Sequence, residues 1–93
     1  MKGYRFYLEH NSPQDKRKGN DAGNVIAIST DIIGRDGDYE GLASVTSAPD
    51  SDVNWGNINI DYLEGYCKRI SEEKAREIHP RLFARLDEEN KGE

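Results

Sequence analysis

The sequence predicts an α+β fold, a small antiparallel β-sheet core of about three to five strands followed by two C-terminal α-helices. Three observations predict it. Tyr4, Phe6 and Leu8 alternate with Arg5, Tyr7 and Glu9, the period of two expected of a half-buried strand. Turn-forming residues then divide the chain up to residue 60 into short runs rich in β-branched and aromatic residues. From Asp61 the spacing lengthens, and Leu63, Tyr66, Cys67 and Ile70 fall at i, i+3, i+4 and i+7. With 93 residues the chain reads as a single domain, with a β-rich core over residues 1–60 and helices over residues 61–89.

The first strand is followed by a segment from Asn11 to Asn20 that holds Pro13, Gly19 and the run Lys16-Arg17-Lys18, and reads as a loop. Gly23 to Ser29 is a compact β-branched run and reads as a central strand. Ile32-Ile33-Gly34 either extends that strand or bends it. Arg35-Asp36-Gly37-Asp38 carries the Asp-Gly signal of a tight hairpin. Tyr39 to Ser47 forms the third strand, Ser47 to Asp52 with Pro49 the next loop, and Val53 to Ile60 a short edge strand around Trp55.

Asp61 precedes Tyr62-Leu63-Glu64, so its carboxylate is placed to cap a first helix while Glu64 reaches back. Cys67 lies on the apolar face of that helix and reads as a small packed side chain. Ser71 caps a second helix, whose positive N-terminal end suits Glu72 and Glu73. Proline removes a backbone donor and disfavours helical geometry in the residue before it, so the second helix bends or restarts near His79-Pro80. Ile78, Leu82 and Leu86 then keep a spacing of four toward the core, and Arg81 and Arg85 share a neighbouring face.

Composition narrows the function classes. About a third of the residues are apolar (34%) and another third charged (33%), a thin core that favours oligomerisation as a source of further burial. The net charge of −5 is unevenly spread. Residues 1–20 carry five basic and two acidic side chains, residues 21–64 nine acidic and only Arg35, and residues 65–85 six basic and three acidic. An acidic chain is a poor binder of duplex nucleic acid, whose affinity comes from many phosphate contacts. It can hold one compact anion where its basic segments meet. No apolar run approaches the length of a membrane span and no signal-peptide core is visible, so a cytoplasmic location is expected.

Catalytic and metal signatures are absent from the sequence. Asp31, Asp36, Asp38 and Glu40 invite a calcium reading, but the bidentate Glu that completes such a loop is missing and a hairpin turn explains Asp36-Gly37. His10, Cys67 and His79 are too scattered for zinc. Ser44, Ser47 and Cys67 have no visible base, and neither a nucleophile elbow nor a phosphate loop occurs. A non-enzymatic protein without a cofactor is the expectation.

Anion-binding groups are easier to name. Arg81 and Arg85 form either a guanidinium clamp for phosphate or ordinary surface pairs with Glu77, Glu88 or Glu89. Trp55, Tyr66 and Phe83 are the aromatics that would supply a face for a flat ring. Arg17, within its basic triplet, is either a solvated charge or a further anion contact.

The words Asp61-Tyr62-Leu63-Glu64-Gly65-Tyr66-Cys67 and His79-Pro80-Arg81-Leu82-Phe83-Ala84-Arg85-Leu86 close a β-rich core with two helices and an Arg-x-x-x-Arg pair. In this the chain resembles the phage anti-Thoeris sponge family. The likeness covers nearly the whole chain in layout and the arginine pair at residue level. It implies a non-enzymatic sponge that sequesters cyclic-ADP-ribose-type signals made by bacterial TIR proteins, or cyclic oligonucleotide signals, as a dimer or larger homo-oligomer. It also implies phosphate contacts from Arg81 and Arg85 and a base stacked on an aromatic near the first helix, for which Trp55 is nearest. The competing expectation is a protein-interaction module that docks its acidic 21–64 surface onto a basic partner.

Overall fold

The computed structural model of the chain describes residues 3–10, 12–18, 23–33, 37–45 and 48–89. Five strands form one antiparallel sheet: β1 (Tyr4–Glu9), β2 (Val25–Ile33), β3 (Tyr39–Ser44), β4 (Val53–Ile58) and β5 (Cys67–Ile70), in spatial order β4-β3-β2-β1-β5. Four helices accompany them: α1 (Pro13–Lys18), α2 (Ile60–Tyr66), α3 (Glu72–Ile78) and α4 (Pro80–Glu89). The α+β class therefore holds, and the sheet has helices on both faces.

The alternation along β1 sorts the two faces. Phe6 and Leu8 point to one side and join Val25, Ala27, Leu42 and Val53 beneath Ala75, Leu82, Phe83 and Leu86 of α3 and α4. This is the main core. Fully burying side chains of this size contributes roughly 1.5–3 kcal/mol each. Tyr7 points to the other side, where Ile26, Ile28, Leu63 and Cys67 form a smaller cluster with Tyr39, Ala43 and Ile58 at its margin. α2 lies over only part of that face, next to β5 and β1.

β2 both extends and bends at its end. It runs to Ile33, but its register with β3 shifts between Ile28 and Ile33. Just before β3, Gly37 has φ +80, a conformation glycine adopts without steric cost. Arg35 and Asp36 lie outside the described residues, as do Ser47, Asn11 and Asn20. β4 pairs only with β3 and is an edge strand, as its sequence predicts.

Three expectations need correction. The segment between β1 and β2 is not wholly loop, because Pro13–Lys18 is helical. Ser12 starts that helix: its Oγ accepts from the Asp15 amide at 3.1 Å, and proline suits the first helical position. The cap of α2 is Asn59 rather than Asp61, with Asn59 Oδ1 accepting from the amides of Asp61 (2.9 Å) and Tyr62 (3.2 Å). The helix then ends at Tyr66, and Cys67 to Ile70 is a strand. β1 has an open edge there, and pairing with it satisfies a row of backbone groups that a longer helix would leave exposed.

The C-terminal segments follow their sequence signals more closely. Ser71 caps α3, accepting from the Lys74 amide at 3.1 Å. Pro80 restarts the chain as the separate helix α4. Between them His79 serves both helices. Its backbone N–H bonds the Ala75 carbonyl, and its Nδ1 accepts from the Leu82 amide at 3.2 Å.

Candidate functional site

Parity along two neighbouring strands brings the site together. Tyr7 pairs with Arg69 and Glu9 with Cys67, so Arg69 and Cys67 project from the same face as Arg5 and Tyr7. Arg5 and Arg69 are diagonal neighbours across the β1/β5 pair, a spacing of about 7–8 Å that long side chains easily bridge. Neither meets a carboxylate among the described residues. α2 forms one wall through Ile60 and Leu63, and Tyr39 of β3 stands at the other side. The enclosed space is a cleft of about 360 Å³.

Charge on this cleft runs against the charge of the chain. Among the described residues lining it, Arg5, Lys16 and Arg69 are cationic and Glu64 alone is acidic, while Lys68, in register with Leu8, belongs to the opposite face of its strand. Lys16 reaches across from α1 to donate to the Glu64 carbonyl, tying α1 to the end of α2. The acid on the same face of β1, Glu9, is engaged elsewhere: it accepts from the Tyr62 hydroxyl and from Asn24 Nδ2 at 3.2 Å. Burial, and then the bond and charge of Glu9, push the Tyr62 hydroxyl above its ordinary pKa. Tyr62 thus stays a neutral donor to that carboxylate.

Cys67 lies in the wall of the cleft but does not offer a nucleophile. It is 2% exposed, and burial first, then the charge of Glu9, raise its thiol to about 12. A thiol so shifted is protonated at neutral pH and packs as a small apolar group. No histidine lines the cleft among the described residues. No group of three His, Cys, Asp or Glu side chains is placed to hold a metal ion among them either. The chemistry on offer is recognition of an anion beside flat, half-apolar walls.

The residues singled out in the sequence are dispersed. Arg81 and Arg85 do share one groove of about 240 Å³ with Asp52 and Glu88. There Arg81 Nη2 pairs with Asp52 Oδ1 at 2.7 Å and Arg85 Nε with Glu89 Oε1 at 3.0 Å. Exposed pairs of this kind contribute roughly 0–1 kcal/mol, and they meet the arginine charges locally. Phe83 is a core residue, 2% exposed, against Phe6 at 5.0 Å between ring centroids. The guanidinium of Arg76 covers its ring at 4.2 Å, so no face remains for a ligand.

Trp55 is half-buried and packs on the same helix-covered cluster. Tyr66 stacks on Tyr62 at 5.0 Å, on the opposite side of the sheet from Arg81. Arg17 is exposed on α1, on that side too. The arginine pair and the three aromatics are therefore not one constellation.

Arg5, Tyr7, Tyr39 and Arg69 are not among the candidates that the sequence singles out. The alternation in β1 already put Arg5 and Tyr7 together, on the face that reads as solvent. Arg69 had no such signal while residues 67–70 read as helix. No protein-family model, curated protein or solved structure matches this chain.

Proposed function

We propose that the chain is a non-enzymatic binding protein that captures a small phosphate-bearing nucleotide in the cleft between α2 and the β1/β5 edge. One observation carries this reading: Arg5 and Arg69 stand side by side on a tyrosine-lined cleft without a carboxylate partner among the described residues, whereas Arg76, Arg81 and Arg85 each have one. A guanidinium pair with no carboxylate bound to it among the described residues suits a phosphate, which takes two parallel hydrogen bonds from each fork. Tyr7 and Tyr39 supply ring faces for a base.

Capture without turnover is part of this reading. A cyclic-ADP-ribose-type signal, of the class that the sponge resemblance implies, is the first ligand to test. Its sequestration would silence a bacterial immune response. A homo-oligomer remains part of the reading, because a chain this small gains core by association.

Native mass spectrometry tests the proposal. The protein is incubated with cyclic ADP-ribose and with cyclic oligonucleotides, and the bound mass and subunit number are read together. Stoichiometric retention and recovery of the intact ligand after heat denaturation are expected. A cleaved product would make the protein an enzyme, and retention of none of these nucleotides would sink the proposal.

A further inference from the structure

The two free edges of the sheet are built differently. β5 is four residues long and carries Lys68 and Arg69 at its centre. A short, cationic edge resists pairing with a further strand. β4, at the other edge, is six residues long, and its sequence Val-Asn-Trp-Gly-Asn-Ile has no charge and no proline. Its register against β3 runs without a shift. The bonding to β3 fixes which backbone groups of β4 look outward. The Val45 amide donates to the Asp52 carbonyl at 2.7 Å, and these two residues continue the β3/β4 register as a hydrogen-bonded pair. Such pairs alternate along an antiparallel ladder. Asn54, Gly56 and Ile58 therefore bond β3, and the N–H and C=O groups of Val53, Trp55 and Asn57 point away from the sheet. Among the described residues no other element meets them.

We infer that β4 is the edge on which a second copy of this chain docks, the two β4 strands running antiparallel about a two-fold axis at Trp55. This gives the homo-oligomer of the reading above a definite interface, and it rests on the sheet edge rather than on the nucleotide cleft. A two-fold axis perpendicular to the sheet sets residues of the same face opposite each other and brings outward groups to outward groups. Val53 then pairs with Asn57 of the partner subunit, and Trp55 with Trp55 of the partner subunit, each pair exchanging two hydrogen bonds. Trp55 packs on the helix-covered face, where aromatic side chains directly opposed across strands stabilise the pairing. Charge permits the match, because Asp52, the acid next to β4, falls opposite Ile58 of the partner subunit and not opposite its own copy. Joining β4 to β4 consumes both uncharged edges and leaves the cationic β5 edges outermost, so the assembly closes as a dimer instead of growing. The cleft beside β5 lies at the far end of each sheet and stays open.

Sedimentation equilibrium of the full chain from micromolar to millimolar concentration, with amide hydrogen exchange on the same samples, tests the interface. A mass twice that of the chain is expected, with the amides of Val53, Trp55 and Asn57 protected. The Arg69 amide points outward from β5 by the same alternation, since the His10 amide bonds the Tyr66 carbonyl, and it should exchange freely. Asn57→Pro should return the chain to a monomer with its circular dichroism unchanged, because proline removes an N–H that β3 does not use. A monomer at every concentration overturns the interface and the homo-oligomer together and leaves nucleotide capture standing. A dimer in which Val53, Trp55 and Asn57 exchange as fast as Arg69 overturns the β4 interface alone. The exchange pattern of the unaltered chain decides the matter even if Asn57→Pro does not fold.

Discussion

The imidazole of His79 is 1% exposed at the junction of α3 and α4, with Nδ1 accepting from the Leu82 amide and Nε2 2.9 Å from the Ser51 hydroxyl. An accepting Nδ1 carries no proton, so Nε2–H is the donor to Ser51. Burial, ahead of the smaller opposing effects of its own backbone bond and Asp50, holds its pKa below the ordinary 6.5. Since the folded state disfavours the proton, the unfolded chain binds more of it as the pH falls. The stability contributed by neutral His79 is full above the unfolded pKa and is lost as pH drops below about 6.5. Urea unfolding between about pH 7.5 and pH 5 should show the midpoint falling, and His79→Asn, which keeps a capping acceptor, should flatten that fall. An unchanged slope in the variant would place the titration elsewhere.

At the scale of elements, α2 is held to the sheet by little. Leu63 is its one buried side chain, and the same residue walls the cleft. Leu63→Ala should cost about 2–5 kcal/mol in chemical denaturation, the usual cost of a leucine truncated in a core. It should also weaken nucleotide binding, because α2 loses the contact that keeps it over the cleft. Stability lost with affinity retained would show that α2 is not a wall of the site.

How much of this was legible in the sequence depends on how long each pattern ran. β1 could be read from six alternating residues, and α4 from the recurrence of Leu82 and Leu86 after Pro80. The segment Cys67 to Ile70 could not, since four residues satisfy a helical and a strand spacing equally well. The open edge of β1 decides it, a tertiary fact invisible to local reading. The same ambiguity hid the site, because Arg69 joins Arg5 only once residues 67–70 are a strand. Conversely, Arg81 and Arg85 are easy to see together; the Arg85–Glu89 pair has a helical spacing, but Asp52, the partner of Arg81, lies 29 positions away, beyond any helical spacing.

For the whole molecule, the sheet divides labour between its faces. One face is closed by α3 and α4 over the main core, and the other is only partly covered and exposes cations at the β1/β5 edge. A chain of net charge −5 that gathers Arg5, Lys16 and Arg69 around one cleft creates a local positive field, which steers a small anion while the rest of the surface repels long polyanions. Among the described residues no helix is long and apolar enough to cross a membrane. The two arginine pairs lie on opposite sides of the sheet, which makes them separable by mutation. Calorimetric titration with cyclic ADP-ribose or a cyclic oligonucleotide should therefore compare Arg5→Ala/Arg69→Ala with Arg81→Ala/Arg85→Ala. The first double variant is expected to lose at least about tenfold in affinity, since a hydrogen bond to a charged group contributes about 1.5–3 kcal/mol. The second should bind as the unaltered protein does. Affinity lost only in the Arg81/Arg85 variant would contradict the assignment and return the site to the helices.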